Sequence, residues 1–341
     1  MSGALPASLR PLLPVLAVVR IHSPTRFQLA DRTVDVPPPE TPFEMEDAAP
    51  LLPRLQGFLY RHAYCRAFRL PLVTAPPVTA PDGDLVTALS RANAGRDQWQ
   101  GGWRVLPTPP FTPADHLLVG RGRERRLVPV GEVRPPTCGR GGGEAVELRL
   151  PREGRTVQRG FYFAFGSAGG PATLRRVRFY WHLSPAGAVE LLARITPRLH
   201  RFEVPFQLKC PDHPDLYDRR DTAVLIVDYR HASLTAELVA EVLPGVVPHM
   251  GPDEPLFTRT LAPGLGFAED PGGGFSFGMH RCRLVAEALW RAHTRGLEDP
   301  EAQIRLVMEE FEELGLDPHH PHLRPGPDLY RFPRLEARHG I

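Results

Sequence analysis

The chain has 341 residues, with 41 Lys and Arg against 39 Asp and Glu and a formal net charge of +2. A charge this close to neutral argues against a nucleic-acid-binding domain, which usually carries a concentrated basic excess. With 42% hydrophobic residues the chain can build a real core, and its length suggests two domains or one large one.

The basic residues are divided very unevenly, because 40 of the 41 are Arg and the remaining one is Lys209. Compositional drift towards Arg explains the arginines but not the lysine that remains. A lysine amine can lose its proton and a guanidinium cannot. Lys209 is therefore a candidate general base or Schiff-base amine, and chance survival at the surface is the alternative.

The N-terminal part is punctuated by proline and has helical spacing over residues 51–68. A short apolar stretch over 11–19 ends at Arg20 without a small-x-small cleavage site, and no apolar run is long enough to span a membrane. We therefore expect a cytoplasmic protein with no membrane partner. Pro- and Gly-rich sequence predicts a connection over 111–144, between a smaller mixed or helical N-terminal domain over 1–110 and a second domain over 145–341. By elimination, the N-terminal domain is expected to contact a peptide or partner.

The second domain has clearer patterns. Alternation and aromatic content predict strands over 146–150, 160–166, 177–183, 204–209 and 223–231. Ser184 and Pro185 predict the start of a helix running to about 192, and two later helices are predicted over 280–293 and 300–315. Strands come first, helices are interspersed and late, and no βαβ rhythm is present. This order predicts an α+β fold with a mostly antiparallel sheet and flanking helices.

The strand over 177–183 places Arg178, Tyr180 and His182 on one face and apolar side chains on the other. Such a polar face often meets water, which is the simpler interpretation. A titrating histidine beside a permanent cation and a phenol also suits an anionic ligand.

Two further strands carry candidate groups. Lys209 shares a face with Gln207 at a strand end, where nearby like charge and burial would lower the pKa of its amine. Tyr229 and His231 share a face of the strand over 223–231.

Three arginine-containing segments could hold an anion. Arg219 and Arg220 lie between two aspartates, in what could equally be a solvated turn. The glycines over 272–274 lead into a helix whose first turn carries Arg281 and Arg283, and a helix N-terminus attracts anions. This loop is not a P-loop.

No cofactor or metal is predicted. The cysteines have no CxxC pair or zinc spacing and are expected to be reduced thiols; they are Cys65, Cys138, Cys210 and Cys282. No GxGxxG motif occurs. One deprotonatable base, one histidine acid and several arginines together suit β-elimination of a phosphate.

Several runs in the second domain resemble the HopA-type effector family. They are PLFTR at 255–259, LAPG at 261–264, AEDP at 268–271, SFG at 276–278, Arg281 and AEAL at 286–289. The resemblance covers about 145–325 and the region 59–66. Bacterial members of that family occur as lyase subunits beside a kinase-like partner, in the maturation of class V lanthipeptides and thioamide-containing peptides (thioamitides).

The resemblance also implies site residues, by similarity to the phosphothreonine lyases of type III secretion. His182 matches their general acid and Lys209, 27 residues later, their general base. Arg219 and Tyr229 match an arginine and a tyrosine that follow the lysine. The late phosphate-binding arginines match Arg281 and either Arg283 or Arg259. Those lyases carry a lysine where this chain has Tyr180, and Arg178 could replace its charge.

The sequence thus predicts a phosphoserine or phosphothreonine lyase. Its substrate would be a ribosomal precursor peptide (a RiPP precursor) phosphorylated by a kinase-like subunit, and its product dehydroalanine or dehydrobutyrine. Lys209, His182 and Tyr229 are the predicted catalytic residues. The predicted phosphate contacts are Arg219, Arg281, Arg259, Arg283, Arg178, Tyr180 and Arg220. A non-catalytic module that binds phosphopeptide or kinase, a host-directed effector, and a Schiff-base enzyme remain as alternatives.

Overall fold

The structure is a computed structural model that describes residues 5–37, 50–72, 78, 80–107, 109–136, 145–168, 175–274, 276–328 and 330–332. Cys138 and the end of the predicted connection, 137–144, lie outside the described residues. The described part is α+β and contains three antiparallel sheets, so the predicted fold class is confirmed.

The N-terminal elements comprise one three-stranded sheet and three helices. In chain order they are α1 (Leu13–Leu16), β1 (Val19–Ser23), β2 (Arg26–Leu29), β3 (Arg32–Asp35), α2 (Leu51–Leu59) and α3 (Gly83–Ala92). α2 continues into a π-helical turn, Tyr60–Tyr64, inside the predicted helical run. Asp82 caps α3, because its side chain accepts a hydrogen bond from the backbone N–H of Leu85 at 2.7 Å.

A five-stranded sheet follows, in the spatial order β6-β5-β4-β8-β7. Its strands are β4 (Gln98–Val105), β5 (His116–Arg121), β6 (Glu124–Pro129), β7 (Val133–Arg134) and β8 (Ala145–Leu150). Part of the predicted connection therefore forms strands. The strands of this sheet bury only a small core around Trp103, so few of their residues are apolar and the alternation that predicts a strand is weak. The division into domains stays a prediction.

The third sheet has seven strands in the order β14-β15-β11-β13-β12-β10-β9. In chain order its strands and helices are β9 (Glu153–Gly154), β10 (Phe161–Phe165), β11 (Arg176–Trp181), α4 (Pro185–Arg201), β12 (Phe206–Pro211), β13 (Ala223–Asp228), α5 (Ala232–Val246), β14 (Arg259–Ala262), β15 (Leu265–Glu269), α6 (Phe277–Thr294) and α7 (Pro300–Glu313). No helix within the described ranges is long and apolar enough to cross a bilayer.

Predicted helix starts agree with the structure better than predicted strand ends. Ser184 caps α4 and Asp299 caps α7, each through a side-chain oxygen that accepts a backbone N–H. The predicted strand over 223–231 is too long. β13 stops at the buried Asp228, and Tyr229–His231 form a 3₁₀ turn that leads into α5.

Both faces of the seven-stranded sheet are covered. One face carries Phe179, Leu208 and Leu225 and packs in a core with α4 and α5. The other face contributes Tyr180 and Val224 to a second core, built with α2, α6, α7 and the N-terminal elements. The polar face predicted for β11 therefore does not simply meet water.

Arg281 fixes the segment after α7 to α6. Its side chain is fully buried, and its guanidinium donates hydrogen bonds to the carbonyls of Pro321 and Leu323, both at 2.8 Å. These bonds satisfy carbonyls that would otherwise be buried without donors.

We expect Arg281→Ala to lower the free energy of unfolding by about 3 kcal/mol, because it leaves buried carbonyls unpaired. Chemical denaturation measures this change. Arg283→Ala is the matched control on the same helix. It removes only the ion pair with Glu287 on the next turn and should cost less than about 1 kcal/mol. Equal losses for the two variants would contradict the structural role of Arg281.

Candidate functional site

Side chains of the seven-stranded sheet stand in rows across neighbouring strands. Tyr180 pairs with Val224, and Val224 pairs in turn with Lys209. His182 lies two residues beyond Tyr180, so it has the same side-chain direction as Tyr180 and Lys209. Strand spacing and rise place the Cα atoms of His182 and Lys209 about 12 Å apart. The sheet therefore carries both groups on one face.

Lys209 lies half-buried on β12. Its Nζ is 4.7 Å from the ring centre of Phe161 and donates a hydrogen bond to Gln158 Oε1 at 3.3 Å. The pKa of the Lys209 ammonium is lowered to about 8, mainly by burial and also by Arg178 and Arg219, against the opposing effect of Asp221. A fraction of this amine is therefore neutral near neutral pH.

His182 is clamped by backbone directly after β11. Its N–H donates to the carbonyl of Gly264 at 2.9 Å, and its own carbonyl accepts from the N–H of Gly251 at 2.8 Å. Its ring Nδ1 lies 3.0 Å from the carbonyl oxygen of Asp253. Because a carbonyl only accepts, Nδ1 carries the hydrogen of this bond, and Nε2 is the ring atom left to exchange a proton.

Gly251 permits this arrangement. A Cβ placed on Gly251 would lie 2.3 Å from the His182 ring, much closer than atoms can pack. The His182 ring therefore occupies space that a side chain at position 251 would fill.

Arg219 joins the sheet side of the site to the π-helical turn. Its Nε and Nη2 donate to the two carboxylate oxygens of the buried Asp221, at 2.5 and 2.8 Å. Nη2 also donates to the Tyr60 hydroxyl and to Cys65 Sγ, both at 3.2 Å. Burial alone would raise the pKa of Asp221, but Arg219 holds it below its usual value.

His182 and Arg219 line a cleft of about 380 Å³. Its charged and titratable walls include His182, four arginines (Arg66, Arg69, Arg219 and Arg220) and two aspartates (Asp218 and Asp253). Arg66 pairs with Asp218 at 3.0 Å and Arg220 with Asp253 at 3.2 Å. Arg69 is exposed and has no ion-pair partner among the residues that the structure describes. The cleft is therefore suited to an anion.

Lys209 stands beside this cleft and does not line it. Arg219 lies next to both the cleft and Lys209. It lines the cleft, and its Cζ lies 5.8 Å from the centre of the Phe161 ring that Lys209 also contacts.

Arg66 and Arg69 were missed by the sequence analysis. They follow the π-helical turn, more than 100 residues before His182 in the chain. The only sequence signal was the inclusion of 59–66 in the family resemblance, and no local pattern connects those residues to the sheet.

Two predicted phosphate contacts on β11 have other partners. Arg178 donates to Asp270 Oδ2 through Nε at 3.1 Å and Nη2 at 2.6 Å. Tyr180 is buried against Phe277, and burial raises the pKa of its hydroxyl to about 12. Neither residue lines the cleft.

Tyr229 is not brought to the cleft. β13 runs from Ala223, level with the end of β11 next to His182, to Asp228 at the other end. These ends are about 17 Å apart, and Tyr229 lies beyond the far one. Its exposed ring packs under the Arg175 guanidinium, 4.7 Å from ring centre to Cζ.

The three late arginines do not line the cleft either. Arg281 faces the core because it lies on the buried side of α6, where its guanidinium packs over Phe277. Arg283 pairs with Glu287, and Arg259 pairs with Asp328 at 3.1 Å.

A model of the HopA1 effector protein family matches residues 153–323, which is half of the chain. The chain belongs to the HopA1 effector protein family. The match includes His182, Lys209, Arg219 and Arg220, whereas Arg66 and Arg69 lie outside it.

Two solved structures of effector proteins from Pseudomonas syringae are similar to this HopA1-family chain. The one from pathovar tomato strain DC3000 is 15% identical, with a TM-score of 0.43 over 80% of this chain and 97% of the other. The one from pathovar syringae strain 61 is 18% identical, with a TM-score of 0.35 over 50% of this chain and 67% of the other. No curated protein matches the chain.

We expect Gly251→Ala to displace the His182 ring and break its bond to Asp253, because the new methyl group needs the space of the ring. Histidine ¹H–¹⁵N NMR checks this through the loss of the His182 signal of an imidazole protonated on Nδ1. Gly131→Ala is the matched control, since a Cβ there meets no atom within 4 Å. An unchanged His182 signal in Gly251→Ala would contradict the proposed clamp.

Proposed function

We propose that this HopA1-family protein is a phosphoserine or phosphothreonine lyase acting on a phosphorylated ribosomal precursor peptide. One observation carries the proposal. A lysine whose pKa is lowered to about 8 shares a sheet face with a histidine that lines an arginine-rich cleft. A base, an acid and a site for a dianion are the groups that β-elimination of phosphate requires.

The phosphate group would lie in the cleft. A guanidinium binds phosphate oxygens through parallel N–H donors, and Arg66, Arg69, Arg219 and Arg220 supply four guanidinium groups from two directions. These residues replace Arg281, Arg283 and Arg259, which do not line the cleft. The neutral amine of Lys209 would then lie on the Cα side of the phosphorylated residue.

The reaction is a single elimination. The Lys209 amine takes the Cα proton, the electron pair of that C–H bond forms the Cα–Cβ double bond, and the Cβ–O bond breaks. The departing phosphate takes a proton from Nε2 of His182, which becomes neutral with its hydrogen on Nδ1. Phosphoserine gives dehydroalanine and phosphothreonine gives dehydrobutyrine. Each acid or base contributes about 10²–10⁴-fold to such a rate.

A separate kinase-like subunit would supply the phosphorylated peptide, since the sequence has no P-loop or GxGxxG motif. Such peptides are the substrates of class V lanthipeptide and thioamitide maturation, the setting that the family resemblance implies. The cleft combines Arg66 and Arg69 from the N-terminal part with His182, directly after β11, and with Arg219 and Arg220, before β13. This supports a role of the N-terminal part in contacting the substrate.

A non-catalytic phosphopeptide-binding module, including a host-directed effector, is the second candidate. The observation in its favour is that Lys209 Nζ is bonded to Gln158 and does not line the cleft. In that case the arginines recognise phosphate and no bond breaks.

We expect Lys209→Arg to abolish elimination and to keep phosphopeptide binding, because it conserves the charge but removes the proton acceptor. Mass spectrometry of the peptide measures the loss of phosphoric acid, and fluorescence anisotropy measures binding. Arg283→Lys, a charge-conserving exchange outside the cleft, is the control. Elimination at the wild-type rate in Lys209→Arg would contradict the mechanism, and binding without elimination by the wild type would support the second candidate.

The pH dependence has a defined sign. Because the Lys209 pKa is lowered to about 8, the active neutral amine increases as pH rises towards that value. We expect kcat/KM to rise about tenfold per pH unit on the acid side of the profile, and the rise to end where the general acid, which must be protonated to act, loses its proton or at the latest near pH 8. Initial rates of phosphate release measure it. An acid side of the profile that does not rise with pH would contradict Lys209 as the base.

A further inference from the structure

A second cavity of about 520 Å³ adjoins the cleft. Arg220 and Asp253 line both spaces, so their ion pair forms the wall between them. Each volume falls within the range of about 300–1,000 Å³ that is usual for ligand sites. A ligand anchored in the cleft can therefore extend past this ion pair.

Three segments that are distant in the chain build the second cavity. Ala7 and Pro11 come from the N-terminal segment, Pro255 and Phe257 from the segment before β14, and His322 from the segment after α7. The two further charged side chains, Arg259 and Glu254, already bond to Asp328 and to the Thr260 hydroxyl. The cavity thus offers apolar surface, and these charged side chains of its wall already have hydrogen-bond or ion-pair partners.

Two wall residues carry buried polar atoms that lack a partner in the described part of the chain. One is Nε2 of His322, a residue only 5% exposed, and the other is Nε of Arg220. Buried polar atoms are nearly always hydrogen-bonded, so both indicate a missing partner. Burial lowers the pKa of His322 to about 4, and a neutral imidazole pairs with an uncharged group such as a peptide amide or carbonyl.

The wall also contains an unusual backbone conformation. Phe257 has a φ of 70° although it is not glycine, and its side chain is buried. Such conformations are unfavourable by about 1–3 kcal/mol and concentrate at ligand sites.

We propose that the second cavity binds the peptide residue next to the phosphorylated residue. Its backbone would hydrogen-bond to His322 and Arg220, and its uncharged side chain would pack against Pro11 and Pro255. The proposal rests on the proposed function and adds a substrate class to it. The preferred substrate is an extended phosphopeptide with an uncharged residue beside the phosphorylated one.

Filling the cavity from exposed wall positions tests the subsite. Ala7→Trp and His319→Trp place an indole at two different wall segments, and both original residues are exposed. Ala17→Trp is the control, an exposed alanine that lines neither space. The probes are a phosphothreonine peptide with uncharged flanking residues and inorganic phosphate as a competitive inhibitor.

We expect the two cavity variants to raise KM for the phosphopeptide roughly tenfold and to leave the inhibition constant of phosphate within about twofold of wild type. The control should change neither value. An unchanged KM in both cavity variants overturns the subsite and leaves the proposed function standing. Absence of elimination by the wild type contradicts the proposed function, and the subsite fails with it.

Discussion

The ion pair between Arg219 and the buried Asp221 connects the parts of the protein that form the cleft. Asp221 precedes β13, and Arg219 also bonds to Tyr60 and Cys65 of the N-terminal part. Removing one member of such a pair leaves an uncompensated charge, a loss of about 3–5 kcal/mol in fully buried cases. The pair therefore orients a guanidinium that lines the cleft and attaches the N-terminal wall to the sheet.

The same pair acts on Lys209 with two opposing signs. Asp221 favours the charged ammonium, whereas Arg219 and Arg178 disfavour it, and desolvation by burial is the largest effect of all. The balance is an amine with a pKa near 8 in a protein whose other basic side chains, histidine apart, are guanidinium groups. Arginine can fulfil every phosphate-binding role in the proposed site, but it cannot give up a proton. In the proposed site, this difference is the physical reason for a lysine at position 209.

The alternation of polar and apolar residues along the strands was enough to predict which side chains share a face of the sheet. The alternation of β11 and the position of Lys209 on β12 placed His182 and Lys209 on one face, and the structure has them there. Tyr229 was predicted to lie on a strand over 223–231. β13 ends one residue before it, at Asp228, and the tyrosine lies at the end of the sheet that is far from His182.

Tertiary packing decided the remaining assignments. Arg281 has the sequence context of an anion site, yet its helix face is turned to the core, where backbone carbonyls are its partners. Arg66 enters the cleft only because the π-helical turn packs against the sheet across about 120 residues of chain, a contact that no periodicity encodes.

One isotope experiment tests the central claim, that the cleft breaks the Cβ–O bond of a phosphorylated residue. A phosphothreonine peptide is incubated with the protein in water enriched in heavy oxygen, and both products are analysed by mass spectrometry. The account predicts a dehydrated peptide and inorganic phosphate without the heavy isotope, because elimination keeps the original bridging oxygen on phosphorus. A hydroxyl peptide with labelled phosphate would show hydrolysis instead, and either that result or unchanged phosphopeptide would contradict the account.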